Sequence, residues 1–315
     1  REDRRTLDMS GALDRLPPLA RYSRTAELAS NQVIEAYSTS FGTATRLLGR
    51  RHRAHVRNIY ALVRVADELV DGVAVEAGLS PSQQHRALAR LRAETERAIE
   101  LGYSSNPVVH AFARTARESG IDASLTSPFF DSMRADLPRT GRVADPLAAT
   151  ALTGFDSDSH RDYVYGSAEV VGLMCLRVFT RQEVLTPARR AALERGARSL
   201  GAAFQNVNFL RDLADDTSRL RRSYLSADGE LDGADRDRWV ATIREQLAEA
   251  AAALPLLPGD AAVAVRSALE LFSALTDRIA AASVAELRRR RIRLSAAAKA
   301  RILLHAVAAS RKQAG

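Results

Sequence analysis

Cysteine is almost absent from this chain, and that scarcity excludes several chemistries at once. Cys175 is the single cysteine among 315 residues, so an internal disulfide framework and any multi-cysteine metal site are ruled out. It sits in the apolar run VVGLMCLRVF, where a buried small hydrophobe is expected, and the lack of disulfides fits a reducing, cytoplasmic compartment. Long apolar runs are missing too. No uncharged stretch approaches the roughly 20 residues of a membrane span, and REDRRTLDMSGALDRLPPLA at the start has no apolar core of signal-peptide length, so a soluble protein is expected. No phosphate-binding glycine loop, dinucleotide fingerprint or nucleophile elbow appears. His52 and His55 in RRHRAH read as a basic surface turn, and His160 stands alone, so zinc is not expected at any of them.

What is abundant is alanine, leucine and arginine, with apolar residues recurring at three- and four-residue intervals and little strict alternation. That pattern predicts an all-α fold with few or no strands. The length would allow two average domains. The breaks suggested at DGVAVEAGLSPS, GYSSNP, LPRTGRVADPL, LTGFDSDSH, SADGELDGAD and LPLLPGD are nevertheless too short for interdomain linkers, and no repeat of fixed period is present. The expectation is a loosely held arm over residues 1–25 and one helical domain over residues 26–315 that ends in a basic helix.

The net charge of +8 is concentrated at that end. Residues 284–315 hold nine Lys/Arg against the single Glu286, an excess equal to that of the whole chain. Such a segment is either a solvated terminal helix or a surface that docks on an anionic membrane. Nucleic acid is not expected, because no aromatic residue is there to stack on bases.

Two segments carry acids where a helix should pack. In QNVNFLRDLADD, residues 205–216, Asn208, Asp212 and Asp216 recur every fourth residue, while Val207, Phe209, Leu210 and Leu213 cover the other sides. In YALVRVADELVDG, residues 60–72, Tyr60, Arg64, Asp67 and Asp71 follow steps of four, three and four, and Gly72 is placed to end the helix. Carboxylates four apart lie about 6 Å apart along a helix and repel unless a cation lies between them. Mg²⁺ prefers a few carboxylates plus water and phosphate oxygens, so two such stripes facing each other could hold Mg²⁺ against a diphosphate. The plain alternative is a solvated acidic face; apolar flanks and an arginine in each stripe, Arg64 and Arg211, favour the metal.

These segments, with YSTSF at 37–41, SMRADL at 132–137, YVYGSAEVVGL at 163–173 and RRSYLS at 221–226, resemble in order the motifs of the squalene and phytoene synthases, the head-to-head prenyltransferases. The resemblance runs from about residue 33 to about residue 225. It implies an isoprenoid-synthase-type helical bundle with a central cavity, and Mg²⁺ as cofactor. It also implies that Asp67, Asp71, Asn208, Asp212 and Asp216 are metal ligands. Arg64, Arg211, Arg222 and Tyr224 match positions that hold diphosphate oxygens, and Ser38, Ser40 and Phe41 match the lining of the mouth. Tyr60, Ala168, Gly172 and Gln205 match substrate-contacting positions. Tyr163 matches a tyrosine thought to assist proton transfer; a packed tyrosine with a satisfied hydroxyl is the alternative.

The chemistry implied is coherent. Ionising an allylic diphosphate puts charge on the leaving group, which metal ions and guanidinium forks neutralise, and leaves a carbocation that an apolar, aromatic-lined cavity keeps from water. Tyr37, Phe41, Tyr60, Phe204 and Phe209 are available for that lining. A second prenyl diphosphate would attack through its double bond; without a reductant the product is phytoene. Small Thr45, one turn after Phe41, predicts a deep channel for a long prenyl chain. Three residues depart from the family pattern: Glu169 replaces a small glycine, Arg221 a glycine and Ser226 a proline, with a reshaped pocket as the expected result. An aromatic small molecule as the acceptor is a second reading of the same site, and a non-catalytic helical protein is a third that five aligned ligands argue against.

Overall fold

A computed structural model of the chain describes residues 13–38, 40–70, 72–137, 153–154, 157–213, 222–223 and 231–313. Among these, nearly everything outside the turns is helical. The one exception is a parallel bridge between Thr153–Gly154 and Arg222–Ser223, which meets the expectation of few strands.

Helix α1 (Pro18–Tyr37) opens with proline in its first turn, where the missing N–H costs nothing. It therefore begins inside the stretch expected to be a loose arm. The correction has a packing cause: Tyr22 Oη donates to Ser105 O at 2.8 Å, and buried Ser23 Oγ meets His110 Nε2 at 2.9 Å, so the first turn is pinned. The short α2 (Ser40–Thr45) leads to α3 (Arg50–Val70). After it come a single turn, α4 (Val73–Glu76), and then α5 (Pro81–Leu101) and α6 (Pro107–Ser119). Both longer helices start at a side-chain cap followed by proline, Ser80 in a capping box with Gln83 and Asn106 accepting from Val108 and Val109. Both stop at a left-handed glycine, Gly102 at φ 77° and Gly120 at φ 67°. Helix α7 (Ala123–Ala135) is capped by Asp122.

Helix α8 (Ser157–Val164) runs into a π turn, Tyr165–Glu169, and on into α9 (Val170–Thr180). This is the segment quoted as YVYGSAEVVGL, and its widened turn is a geometry frequent at functional sites. Next come α10 (Pro187–Arg211), α11 (Gly233–Ala253), α12 (Gly259–Ala281), the single turn α13 (Val284–Leu287) and α14 (Ala296–Gln313). Two glycines let α10 lie backbone to backbone on the kinked segment. A Cβ on Gly172 would stand 2.4 Å from the Ala197 carbonyl oxygen, and one on Gly201 2.5 Å from that of Ala168.

Two apolar clusters hold the helices. One gathers Ile59, Leu62, Phe112, Phe129, Phe130 and Met174 from α3, α6, α7 and α9. The other gathers Leu210, Ile243, Leu271, Ile279 and Leu287 from α10 to α13. Each fully buried side chain of this size contributes roughly 1.5–3 kcal/mol. No helix among the described residues is long and apolar enough to cross a membrane.

The basic end differs from expectation. The arginine run at 288–293 is not helical; it forms a turn and an extended stretch before α14. Ile292 and Leu294 are buried at alternate positions there and pull the chain out straight. Three of its guanidinium groups also serve the fold: Arg288 donates to Leu231 O at 3.1 Å, Arg290 pairs with Glu286, and Arg291 Nε lies 2.7 Å from Asp212 Oδ1.

The histidines differ too. His52 is fully buried in the first turn of α3, meeting Asp260 Oδ1 through Nε2 at 3.2 Å and Arg181 through Nδ1 at 3.0 Å. Burial lowers its pKa, with Asp260 opposing the shift. It is an internal strut, not part of a surface turn.

Candidate active site

A cavity of about 780 Å³ is bordered by members of both apolar clusters. Helices α3 and α10 reach its rim with their polar faces. From α3 come Tyr60, Arg64, Asp67 and Glu68; from α10 and its end come Gln205, Asn208, Arg211 and Asp212. The step of three or four residues seen in the sequence is what brings each set to one side of its helix. Ser38, Thr45, Tyr163, Ala168 and Gly172 line the same cavity. Ser40 and Phe41 fall in α2, and Arg222 falls in the two-residue bridge. Asp71, Asp216, Tyr224, Arg221 and Ser226 lie outside the described residues.

The second stripe is not one continuous helix. Helix α10 ends at Arg211, and Asp212 caps it with its N–H on Asn208 O at 2.8 Å. That bond still seats Asp212 one turn above Asn208.

Charge at the rim is balanced by guanidinium groups. Arg64 pairs with Glu68 and lies 4.0 Å from Asp67, and its Cζ stands 4.5 Å over the Tyr37 ring. Burial works against the Arg64 charge, but Asp67 and Glu68 outweigh it and hold its pKa above the ordinary value. Its Nε is buried with no hydrogen-bond partner among the described residues. Asp212 receives Arg211 at 2.6 Å and Arg291 at 2.7 Å. Tyr60 is pushed up by burial, with Arg64 and Ser38 opposing.

Behind the rim the walls are apolar. Leu48, Val56, Ile59 and Phe179 line the cavity alongside Thr45, whose hydroxyl is spent on Gly42 O at 2.8 Å. Phe204 and Phe272 stack with ring centres 3.7 Å apart. Glu169, expected to reshape the pocket, does not line it: its carboxylate takes Arg198 Nε at 2.6 Å outside the lining. On the side of α7 and α8, Tyr163 Oη donates to Asp136 Oδ2 at 2.6 Å.

Four residues at this site were not singled out by sequence reasoning: Glu68, Asp136, Phe272 and Arg291. Glu68 and Asp136 stood inside motifs already quoted. Arg291 had no local signal, since it reaches Asp212 across 79 positions of chain.

The donor set suits Mg²⁺ in kind. Asp67, Asp212 and the Asn208 amide offer hard oxygens beside a cavity, and the two carboxylates are paired with cations. Among the described residues no group of three His, Cys, Asp or Glu is clustered tightly enough to hold a metal ion.

A largely helical chain frames a cavity whose apolar walls meet acids and arginines at one side. Known proteins narrow the class. The model of the family described as squalene/phytoene synthase matches residues 34–298, and the chain belongs to that family of prenyltransferases. The phytoene synthase of Pseudescherichia vulneris is 32% identical over 203 residues, 63% of this chain and 59% of that protein's length. The 15-cis-phytoene synthase of a Paracoccus species is 29% identical over 88% of this chain and 89% of its own. A solved dehydrosqualene synthase in complex with ligand shares the fold, with a TM-score of 0.67 over 94% of this chain and 100% of that one at 21% identity.

Proposed function

We propose that this protein is a Mg²⁺-dependent prenyltransferase that ionises an allylic prenyl diphosphate and joins it head to head to a second one, giving a phytoene-like hydrocarbon. The observation that carries this reading is the convergence of Asp67, Asn208, Asp212, Arg64 and Arg211 on one cavity whose remaining walls are largely apolar. Asp67, Asn208 and Asp212, with Asp71 and Asp216 by resemblance, would hold Mg²⁺, which when bound supplies Lewis-acid neutralisation of the leaving diphosphate.

The protein's own groups do the rest. Arg64 and Arg211 take diphosphate oxygens with planar, charge-assisted forks, and the Arg64 Nε, which has no hydrogen-bond partner among the described residues, is a donor suited to that anion. Arg222 and Tyr224 join them by resemblance. Ser38 and Gln205 add neutral polar contacts at the rim. The cation left after ionisation sits in a cavity lined by Phe204, Phe272 and Tyr60, whose aromatic rings tolerate positive charge. The second prenyl chain lies against the apolar wall past Thr45. Relatives named as phytoene synthases support a prenyl diphosphate acceptor, and no observation favours an aromatic one.

The test is to incubate the purified protein with Mg²⁺ and labelled geranylgeranyl diphosphate and to analyse the organic extract by mass. A forty-carbon hydrocarbon is the expected product. Absence of any head-to-head hydrocarbon from that substrate and from shorter prenyl diphosphates would sink the reading.

A further inference from the structure

Several arginines of this protein are matched to acids, as Arg51 is to Asp260 and Arg92 to Glu96 and Asp131. Arg53 and Arg57 are not. They stand one turn apart on the same face of α3, and both are half-buried. Arg53 gives its Nη2 to two backbone carbonyls, Arg46 O and Leu48 O, each at 2.8 Å. Arg57 makes no hydrogen bond or ion pair among the described residues. The Nε atoms of both are shut off from solvent and have no hydrogen-bond partner among the described residues. On a solvated face those N–H groups would be bonded to water. Here the donors of two cations are buried with nothing to accept them, which costs free energy until an acceptor arrives.

The carbonyl bonds of Arg53 also bring the chain just after α2 against α3 and set the exposed Arg46 beside the pair. The charges are near enough to act on one another. Burial lowers the Arg57 pKa most, Arg53 and Arg46 lower it further, and only Glu35 opposes. Glu35 is exposed and already accepts from Asn31 at 3.0 Å. None of the three arginines lines the cavity, and Arg57 precedes Arg64 by seven residues, about 10 Å along α3. They stand behind its wall, because Ala44, Thr45 and Leu48, which flank Arg46 in sequence, do line it.

We propose that Arg46, Arg53 and Arg57 form a second anion site, separate from the cavity, that takes a phosphate group. Phosphate oxygens accept from several guanidinium forks at once. Bound there, the group neutralises three crowded charges, gives the two Nε–H groups an acceptor and fastens the Arg46 segment to α3 from behind the cavity wall. A free phosphate ion and the phosphate of an anionic lipid headgroup share this chemistry. The site stands whether or not the prenyltransferase reading does.

The experiment uses the full chain in EDTA, so that the acids at the rim hold no metal. Sodium phosphate is titrated in against sodium chloride of equal ionic strength, and binding is followed by calorimetry and by the thermal midpoint. Wild type should bind phosphate saturably and gain in midpoint, and chloride should do neither. Arg57→Gln and Arg53→Gln should each weaken phosphate binding about tenfold or more, as for loss of one hydrogen bond between charged groups. Without phosphate, the midpoint of Arg57→Gln should be no lower than that of wild type, since a crowded, half-buried charge is gone; an arginine kept for packing would give the opposite. Arg64→Gln, at the cavity, should keep the wild-type affinity. If Arg53→Gln or Arg57→Gln does not fold, Arg46→Gln at an exposed position carries the same loss of affinity. Vesicles containing phosphatidylglycerol separate the two sources: sedimentation with them that Arg57→Gln abolishes assigns the site to a lipid headgroup, and any other result assigns it to the free ion. Phosphate affinity that survives in the Arg46, Arg53 and Arg57 variants, that is lost in Arg64→Gln instead, or that chloride matches overturns the proposal.

Discussion

Two carboxylates in this protein are each gripped by basic side chains, and only one of them faces a cavity. Asp212 at the end of α10 receives Arg211 at 2.6 Å and Arg291 at 2.7 Å. Asp260 in the first turn of α12 receives Arg51 at 2.7 Å and His52 at 3.2 Å. As lists of contacts the two are nearly interchangeable. Their surroundings are not. Around Asp260, His52 takes a further bond from Arg181, Arg181 donates to Val178 O, and the Gly49 N–H bonds the Asp260 carbonyl at 2.9 Å. These links tie α3, α9 and α12 together away from the cavity. Around Asp212 the same kind of pair stands on the cavity lining with Arg64, Asp67 and Asn208. An ion pair is therefore neutral evidence; what it faces decides between strut and site.

The sharpest way to break this contrast is to remove the acids one at a time. Asp67→Ala and Asp212→Ala are each expected to lower turnover about 10²–10³-fold or more, the scale of losing one transition-state electrostatic contact. The fold should persist, because both side chains lie at the rim, each with a fifth or more of its surface exposed. Steady-state kinetics and circular dichroism read the two effects separately. Unchanged turnover in both variants would remove the metal assignment.

Asp260→Asn should do the reverse, keeping activity per folded molecule and lowering stability by about 1.5–3 kcal/mol, the range for hydrogen bonds to charged groups. The pH dependence has a definite sign. Its hydrogen bond to Arg51, opposed by burial, sets the Asp260 pKa at about 2, below the ordinary 3.8. A depressed carboxylate stabilises the folded state fully above its unfolded value, and that stability disappears as pH falls from about 3.8 towards about 2. Denaturant titrations at pH 6 and pH 2.5 should thus separate wild type from the variant at the first pH and narrow the gap to well under half at the second.

The same pair of regions shows what a sequence discloses. Asp67, Asn208 and Asp212 were legible because helical periodicity alone puts residues three or four apart on one face. Gly72, expected to end the first acidic helix, was legible for a similarly local reason, and it takes the left-handed conformation at φ 110° just after α3. His52 was misread because its meaning depends on Asp260 and Arg181, which are distant in sequence. Arg291 was misread because a run of like charges looks solvated until its partner Asp212 is found 79 residues away. The helix expected to run through Asp212 ends at Arg211, a boundary that periodicity does not fix. Long-range electrostatic partners are what the pattern leaves silent.

Chain length is the next contrast to sharpen. Thr45 is buried on the cavity wall beside Leu48 and Val56, so Thr45→Phe adds a ring to space the substrate tail would use. Overpacking of this kind costs about 1–3 kcal/mol when a cavity cannot absorb it. Here the cavity can, so the expectation is a shift in relative kcat/KM towards shorter prenyl diphosphates, by about tenfold for a few methylenes. An unchanged length profile would count against a channel past Thr45.

The smallest effect is expected at Glu169, where sequence reasoning looked for a reshaped pocket. Its carboxylate is bonded to Arg198, whose Cζ in turn lies 5.3 Å from the centre of the Tyr165 ring. The pair clips the π turn onto α10 from outside the cavity lining, and Arg198 is half exposed, with 52% of its side chain open to solvent. Partly solvated pairs contribute about 0–1 kcal/mol. Glu169→Gln should therefore lower the thermal midpoint slightly and leave the substrate profile within about twofold of wild type. A larger change in substrate preference would mean that the π turn transmits this contact to Ala168 and Ser167 on the cavity wall. Glu169 would then belong with Asp212 as part of the site and not with Asp260 as a strut.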